Sequence, residues 1–529
     1  MSTRSRPRSR APSQARSQAR SRARSQVPAR AELPLQLGLD PAAPQPLHAQ
    51  LREALRGAIL AGRLAPGARL PASRVLAADL GCARGTVLLA LEQLAAEGYL
   101  AARPGSGTRV AASLPDDLTA GPPAPDPART PADAAPVLSR RGARLAAGEA
   151  EGHAGDPGLP DGATPDAFAL GRPALDVFPF ETWAKLLAAE WRDGASAQAH
   201  ALGDPRLRAA VAAYLAAGRG VPCSAQAVIL TASIRQSLRL LAELLLDPGE
   251  AALVEEPGFP GIARALRGAG LRIVPVPIGP QGFSAARARA LAPGARLAVV
   301  TPAQHYPLGT VMSLENRLAL LAWAEAAGGW IVEDDYDGAY RYTGRPVAPL
   351  SALDRNGRVI YVGSVSKVLL PALQLSYLVL PPSLIEPVQR ALRRAGVAAS
   401  ALGQGALARF IAEGHFASHL RRTRKLYAAR QAALVEAAGR HLAGTLAIPP
   451  LDGGLHLVAR PDPGFGAPFD DVGAAAACAR AGLTVAALSP YFADASAAEP
   501  GLLLGYAALP ERAIAPAVRR LAEVLRARP

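Results

Sequence analysis

Four short apolar runs in the second half of the chain each end in residues able to do chemistry. Trp330-Ile331-Val332 leads into Glu333-Asp334-Asp335-Tyr336-Asp337, a dense group of acids around a phenol. The run 359–362 leads into Gly363-Ser364-Val365-Ser366-Lys367, which sets two hydroxyls beside an amine. Leu297–Val300 leads into Thr301-Pro302-Ala303-Gln304-His305-Tyr306-Pro307-Leu308-Gly309, and the run 252–254 into Glu255-Glu256-Pro257-Gly258-Phe259-Pro260-Gly261. Of the 58 Lys+Arg residues only Lys185, Lys367 and Lys425 are lysine. A guanidinium cannot form an imine with an aldehyde, whereas an amine can, so a lysine inside a motif is informative here.

Together these groups suit a phosphorylated aldehyde that carries a basic aromatic nitrogen. Lysine captures the aldehyde and a carboxylate keeps the ring nitrogen protonated. A phenol bonds the ring hydroxyl, an aromatic side chain stacks on the ring, and hydroxyls with a helix N-terminus hold the phosphate. Those are the demands of pyridoxal 5′-phosphate. Asp334 and Asp335 are both available for the ring nitrogen, Phe259 reads as stacking partner or as plain core, and His305 as a residue with a catalytic task or as a non-catalytic loop residue.

The elements that must position these groups alternate helices with buried apolar strands from about residue 166. One helix spans 314–327, opened by Ser313 and stopped by Gly328-Gly329. Buried strands separated by helices predict an α/β domain with a mostly parallel sheet covered on both faces, whose ligands gather at the carboxyl ends of the strands.

The region 35–112 follows a different pattern. Leu47, Leu51, Leu55 and Ile59 recur every four residues, a second helix starts with Ser73 as N-cap, and a third turns Val87, Leu91 and Leu94 inward. A short hairpin around Pro104-Gly105-Ser106-Gly107 follows. Helix, helix, turn, helix and wing describe a winged helix-turn-helix. The stretch PLHAQLREALRGAILAGRLAPGARLPASRVLAADLGCARGTVLLALEQLAAEGYLAARPGSGTRV resembles the GntR-type DNA-binding domain, and the resemblance implies duplex contacts from Arg74, Arg84, Thr86, Ser106, Gly107 and Thr108. Gly85 stands where related regulators commonly have asparagine.

The body resembles a fold-type I aminotransferase, a large mostly parallel sheet domain plus a smaller α+β C-terminal domain from about 396 to 529. Its union with a GntR-type module is similar to the MocR/GabR family of transcriptional regulators, on WIVEDDYDGAYRY, VIYVGSVSK, VTPAQHYPLG, VEEPGFPG and ALDVFPFETW. That resemblance implies Lys367 as the Schiff-base lysine, Asp334 on the pyridinium nitrogen, Tyr336 on the ring hydroxyl, Ser364 and Ser366 on the phosphate, and Phe259 on the ring face. It also implies a homodimer, head to tail, with no catalytic residue assigned.

Three departures bear on function. Gln374 stands seven residues after Lys367 where the family has a phosphate-binding arginine, and TASIRQSL places Ser233 and Arg235 in a phosphate-side Thr-x-Gly-x-Gln-Gln pattern. Arg235 is expected to return the charge missing at Gln374. Around ALGDPRLRAAVAAYL a rim loop is shortened. Between Arg480 and Arg512 no basic residue occurs, which removes the family's anchor for a substrate carboxylate.

The whole chain has 529 residues and a net charge of +15, and residues 1–30 hold nine of its arginines with no acid. That arm (1–34) is expected to be disordered and could be a phosphate-binding tail, an inert start or a transit peptide. A Pro/Ala/Gly-rich linker spans 113–165, and 166–529 forms the body. Cys82, Cys223 and Cys478 lack metal or disulfide spacing. No run is long enough for a membrane helix, and a cytoplasmic location is expected. The function expected is a DNA-binding regulator that senses pyridoxal phosphate or an amine effector. The alternatives are a DNA-binding dimeric scaffold with a cofactor-free body and an active aminotransferase.

Overall fold

The structure is a computed structural model. It describes residues 38–103, 107–112, 114, 139, 167–194, 198, 200–343, 347–396, 398–465 and 468–527. The Arg-rich arm, nearly all of the linker and Ser106 lie outside the described residues. The chain divides into two compact units, residues 1–137 and 138–529.

In the first unit, α1 (Leu47–Leu60), α2 (Ser73–Asp79) and α3 (Arg84–Ala96) close over one core that holds Leu51, Leu55, Ile59, Leu76, Val87, Leu91 and Leu94. β1 (Leu100–Arg103) and β2 (Gly107–Val110) form the wing, with Leu100 opposite Val110. Residues 67–70 add a third edge: Gly67 N–H donates to the Val110 carbonyl and Leu70 N–H to the Thr108 carbonyl. The four-residue apolar repeat explains the core, because i and i+4 share a helix face. Ser73 departs from expectation. Ala72 is the N-cap of α2 and makes no side-chain cap, while Ser73 is the first helical residue and accepts a bond from Arg84 Nε at 3.3 Å.

The second unit is built on a seven-stranded sheet. Its strands are β3 (Val228–Thr231), β4 (Ala251–Glu256), β5 (Arg272–Pro277), β6 (Leu297–Val300), β7 (Trp330–Asp335), β8 (Val359–Ser364) and β9 (Ser376–Val379), in spatial order β3-β9-β8-β7-β6-β4-β5. β4 to β8 pair in parallel, while β9 runs antiparallel to β3 and β8. Alternation along each strand divides the residues between two faces. Val254, Val299, Val332 and Ile360 pack against Leu238, Leu266 and Val388 from three helices. Leu253, Ala298, Ile331 and Val359 pack with Leu320, Trp323 and Ala288 on the other side. Both faces are therefore buried, as continuous apolar strands require.

The smaller C-terminal part carries the antiparallel sheet β10 (Leu446–Ala447), β11 (His456–Pro461), β12 (Ala486–Ala487) and β13 (Leu502–Gly505), in order β10-β11-β13-β12, with the 27-residue helix His415–His441. The start of the body joins it: Thr484 N–H donates to the Ala167 carbonyl and Gly505 N–H to the Phe168 carbonyl, both at 2.9 Å.

Candidate functional site

The pleat of β7 separates the two adjacent aspartates. Asp334 shares the parity of Val332, Asp335 that of Glu333. Asp335 is committed: its Oδ2 accepts from Arg219 Nη2 at 2.6 Å and Nε at 3.1 Å, and from the Tyr361 hydroxyl at 2.5 Å. Asp334 is buried and lies within the field of Lys367, whose positive charge favours its ionised form. Burial and then the neighbouring Asp335 nevertheless push Asp334 up to about 7. The structure thus brings Asp334 and Lys367 together and gives Asp335 a structural ion pair.

Lys367 is half-buried past the end of β8. Its Nζ lies so close to Gly171 that a Cβ there would sit 2.5 Å away, and Gly171 adopts φ 66°, in the region that favours glycine. The Ser364 hydroxyl accepts from the Lys367 N–H at 3.4 Å, which ties the lysine to the strand end. The Ser366 hydroxyl instead spans its own loop, accepting from Leu375 N–H at 2.9 Å and donating to the Leu375 carbonyl at 3.4 Å.

The helix Ile234–Leu245 opens just beyond the end of β3. Ser233 is its N-cap and accepts from Gln236 N–H at 3.2 Å, while the Gln236 side chain accepts from Ala232 N–H at 2.6 Å. This is a form of capping box. Arg235 sits exposed in the first helical turn, which holds no acid. A cation at that end opposes the helix dipole and becomes favourable when an anion binds. The pairing of β3 with β9 ends at Thr231 opposite Ser376, and both Arg235 and the exposed Gln374 lie within a few residues of that end.

Phe259 is half-buried as the N-cap residue of the helix Pro260–Gly268 and meets Tyr306 edge-on at 5.7 Å. Tyr306 in turn meets Tyr336 at 5.7 Å and His456 at 5.1 Å, and its hydroxyl lies 3.2 Å from that of Tyr491. Tyr336 is half-buried. Its hydroxyl approaches Asp337, but neither that hydroxyl nor Asp337 Oδ2 completes a hydrogen bond of good geometry. Burial first, then Asp337, drives the phenol far above its ordinary value, so it stays protonated. The sequence signalled neither Gly171, Arg219 nor Tyr491. The first two lie far from the strand-end motifs, and tyrosine alone carries no chemical signature.

In the first unit Arg74 and Arg84 are exposed at the starts of α2 and α3, neighbours through the Arg84–Ser73 bond. Neither helix has a side-chain cap, so their first N–H groups are available to phosphate oxygens. Gly107 is exposed with φ 81°, Thr108 is half-buried beside it and Thr86 half-buried on α3. Arg69 was not foreseen. Its guanidinium lies 3.1 Å from where a Gly107 Cβ would be, so it stands at the wing.

Residues 174–481 match the family "Aminotransferase class I and II" and residues 47–110 match "Bacterial regulatory proteins, gntR family". The chain is 42% identical over 476 residues to the probable rhizopine catabolism regulatory protein MocR of Rhizobium meliloti, covering 89% of this chain and 92% of that one. The chain belongs to the MocR family. This MocR-type chain is also 32% identical over 479 residues to the HTH-type pyridoxine biosynthesis transcriptional regulator PdxR of Corynebacterium glutamicum, covering 90% and 95%. Among solved structures it is similar to the α-aminoadipate aminotransferase LysN of Thermus thermophilus, complexed with N-(5′-phosphopyridoxyl)-L-leucine. The TM-score is 0.61 at 28% identity, over 68% of this chain and 91% of that one. The MocR-type chain is a DNA-binding transcriptional regulator that joins a GntR helix-turn-helix to an aminotransferase-like unit. Among its described residues no helix is long and apolar enough to cross a membrane.

Proposed function

We propose that the aminotransferase-like unit holds pyridoxal 5′-phosphate and reports its presence, or that of an amine, to the winged unit on duplex DNA. The observation that carries this reading is the buried Asp334 within the field of Lys367 at the strand ends, with the hydroxyl of Tyr336 lacking a well-formed hydrogen bond nearby. When bound, the cofactor supplies an electrophilic aldehyde beside a basic ring nitrogen. Lys367 supplies the amine, Asp334 the charge opposite the ring nitrogen, and Tyr336 a protonated phenol for the ring hydroxyl. Phe259 covers the ring face. Ser364, with Ser366 shaping its loop, and the N-terminus of Ile234–Leu245 face the phosphate, where Arg235 replaces the charge absent at Gln374. Arg235→Gln then weakens cofactor affinity, and unchanged affinity removes Arg235 from this role.

Arg74, Arg84, Thr86, Gly107 and Thr108 are the duplex contacts, and Ser106, outside the described residues, belongs with them. The unit's task is sensing rather than turnover, since 481–511 offers no cation to a substrate carboxylate. The assembly is a homodimer whose two winged units read repeated half-sites. The test is fluorescence anisotropy on a duplex from the DNA beside the chain's own gene, with and without pyridoxal 5′-phosphate. The expected result is a duplex affinity that shifts with cofactor in the wild type and not in Lys367→Ala. An affinity indifferent to cofactor in both overturns the sensing role.

A further inference from the structure

The outer face of the wing carries charge that the fold itself does not use. The backbones of Arg69 and Arg109 meet in an antiparallel bridge, so their side chains stand opposite each other on one face. Gly107, two residues before Arg109, belongs to the same face, and all three residues are exposed. The other face is the packed one, where Leu70, Leu100 and Val110 join the core of the winged unit. Like charges opposite each other on a sheet destabilise it, and among the described residues neither guanidinium has an ion-pair partner. Arg109 is tied down, since its Nη1 donates to the Gly67 carbonyl at 3.0 Å. Arg69 is not. Its guanidinium makes no hydrogen bond among the described residues and lies along Gly107 instead, where a Cβ would stand 3.1 Å from Nε, 3.3 Å from Nη2 and 3.6 Å from Cζ. Those contacts leave no room for a side chain beside the guanidinium, and the φ of 81° at Gly107 favours glycine independently. The result is a narrow edge of bare backbone with an arginine lying along it.

We propose that Arg69, lying over Gly107, enters the minor groove of the duplex and reads A·T against G·C there. Arg69 belongs to the winged unit alone, so this contact stands apart from the cofactor reading of the other unit. The minor groove is about 6 Å wide, too narrow for a helix but open to a backbone edge with one extended side chain. Its floor presents acceptors at A·T pairs, and A·T runs narrow it and deepen its negative potential, which draws arginine in. At a G·C pair the guanine amino group adds a donor that meets the guanidinium's own donors. Arg109, held back by the Gly67 carbonyl, stays outside the groove and adds positive potential toward the phosphates.

The experiment uses the full chain, wild type and Arg69→Gln, on a duplex from the DNA beside its own gene. Arg69 is exposed, so the variant keeps its fold, checked by an unchanged thermal midpoint. Hydroxyl-radical footprinting is expected to show a short stretch whose minor-groove protection is lost in Arg69→Gln, and identical footprints overturn the proposal. The base pairs of that stretch are then set in turn to A·T, G·C and inosine·cytosine. Inosine lacks the guanine 2-amino group, so its pair matches A·T in the minor groove and G·C in the major groove. Anisotropy on the wild type is expected to rank A·T and inosine·cytosine together, about fivefold or more tighter than G·C. Arg69→Gln is expected to bind all three alike, and more weakly than the wild type binds A·T. A wild type that treats inosine·cytosine as G·C, or shows no preference, overturns the proposal. So does a variant that keeps the wild-type ranking and only lowers the salt slope by about one, since that marks a phosphate contact.

Discussion

Asp334 and Asp335 are neighbours in the chain, yet they have opposite fates, and the acid cluster alone left the choice between them open. The pleat decides it, with Arg219, 116 residues away in sequence, holding Asp335. Two variants separate the roles. Asp335→Asn leaves the buried Arg219 uncompensated and is expected to cost about 3–5 kcal/mol of stability, read by denaturant unfolding. Asp334→Asn removes a charge that burial already penalises, so the fold survives while cofactor affinity falls, read by absorbance titration. If Asp335→Asn unfolds no more easily than the wild type, the ion pair has been misread. Lys367, Tyr336 and Phe259 were legible because each terminates an apolar run. Ser366 was legible only by type, since its bonds to Leu375 depend on how the loop folds back.

At the scale of elements, hydrophobic periodicity revealed the three helices of the winged unit and the alternation of strand and helix in the body. It could not show the reversal of β9, because an antiparallel strand buried on both faces carries the same apolar run as a parallel one. Nor could it show residues 167–168 closing onto the small sheet, a pairing more than 300 residues apart in sequence. The start of α3 carries a prediction of its own. Arg84→Ala is expected to weaken binding to duplex DNA by about 1–3 kcal/mol if the guanidinium reads a base. If it grips phosphate, the change lowers the salt slope by about one instead. Anisotropy over a range of salt concentrations distinguishes the two, and a variant identical to wild type in both excludes Arg84 from the interface.

For the whole molecule, buried ionisable groups set the response to pH. Glu255, Glu333 and Asp334 are raised by burial to about 8, 7 and 7. Between their ordinary values and these, the folded chain keeps protons that the unfolded chain releases. Their stabilisation is therefore full below about pH 4 and is lost as pH rises through 7 to 8. His305 and His419 are lowered by burial to about 3 and 4, so their contribution is full above 6.5 and is lost on acidification. Between about pH 5 and 6.5 three raised carboxyls outweigh two lowered imidazoles, so the thermal midpoint of the cofactor-free protein is expected to decline gently over that range and more steeply just above pH 6.5. A midpoint that climbs steadily from pH 6 to 9 contradicts this distribution of buried charge.

The three lysines allow the central claim to be read directly. Lys185 and Lys425 are exposed, while Lys367 is half-buried against Gly171. Borohydride reduction of the chain incubated with pyridoxal 5′-phosphate, followed by peptide mass mapping, is expected to find the phosphopyridoxyl group on the Lys367 peptide at near one equivalent. An unmodified Lys367 peptide, or a label spread over Lys185 and Lys425, contradicts the account.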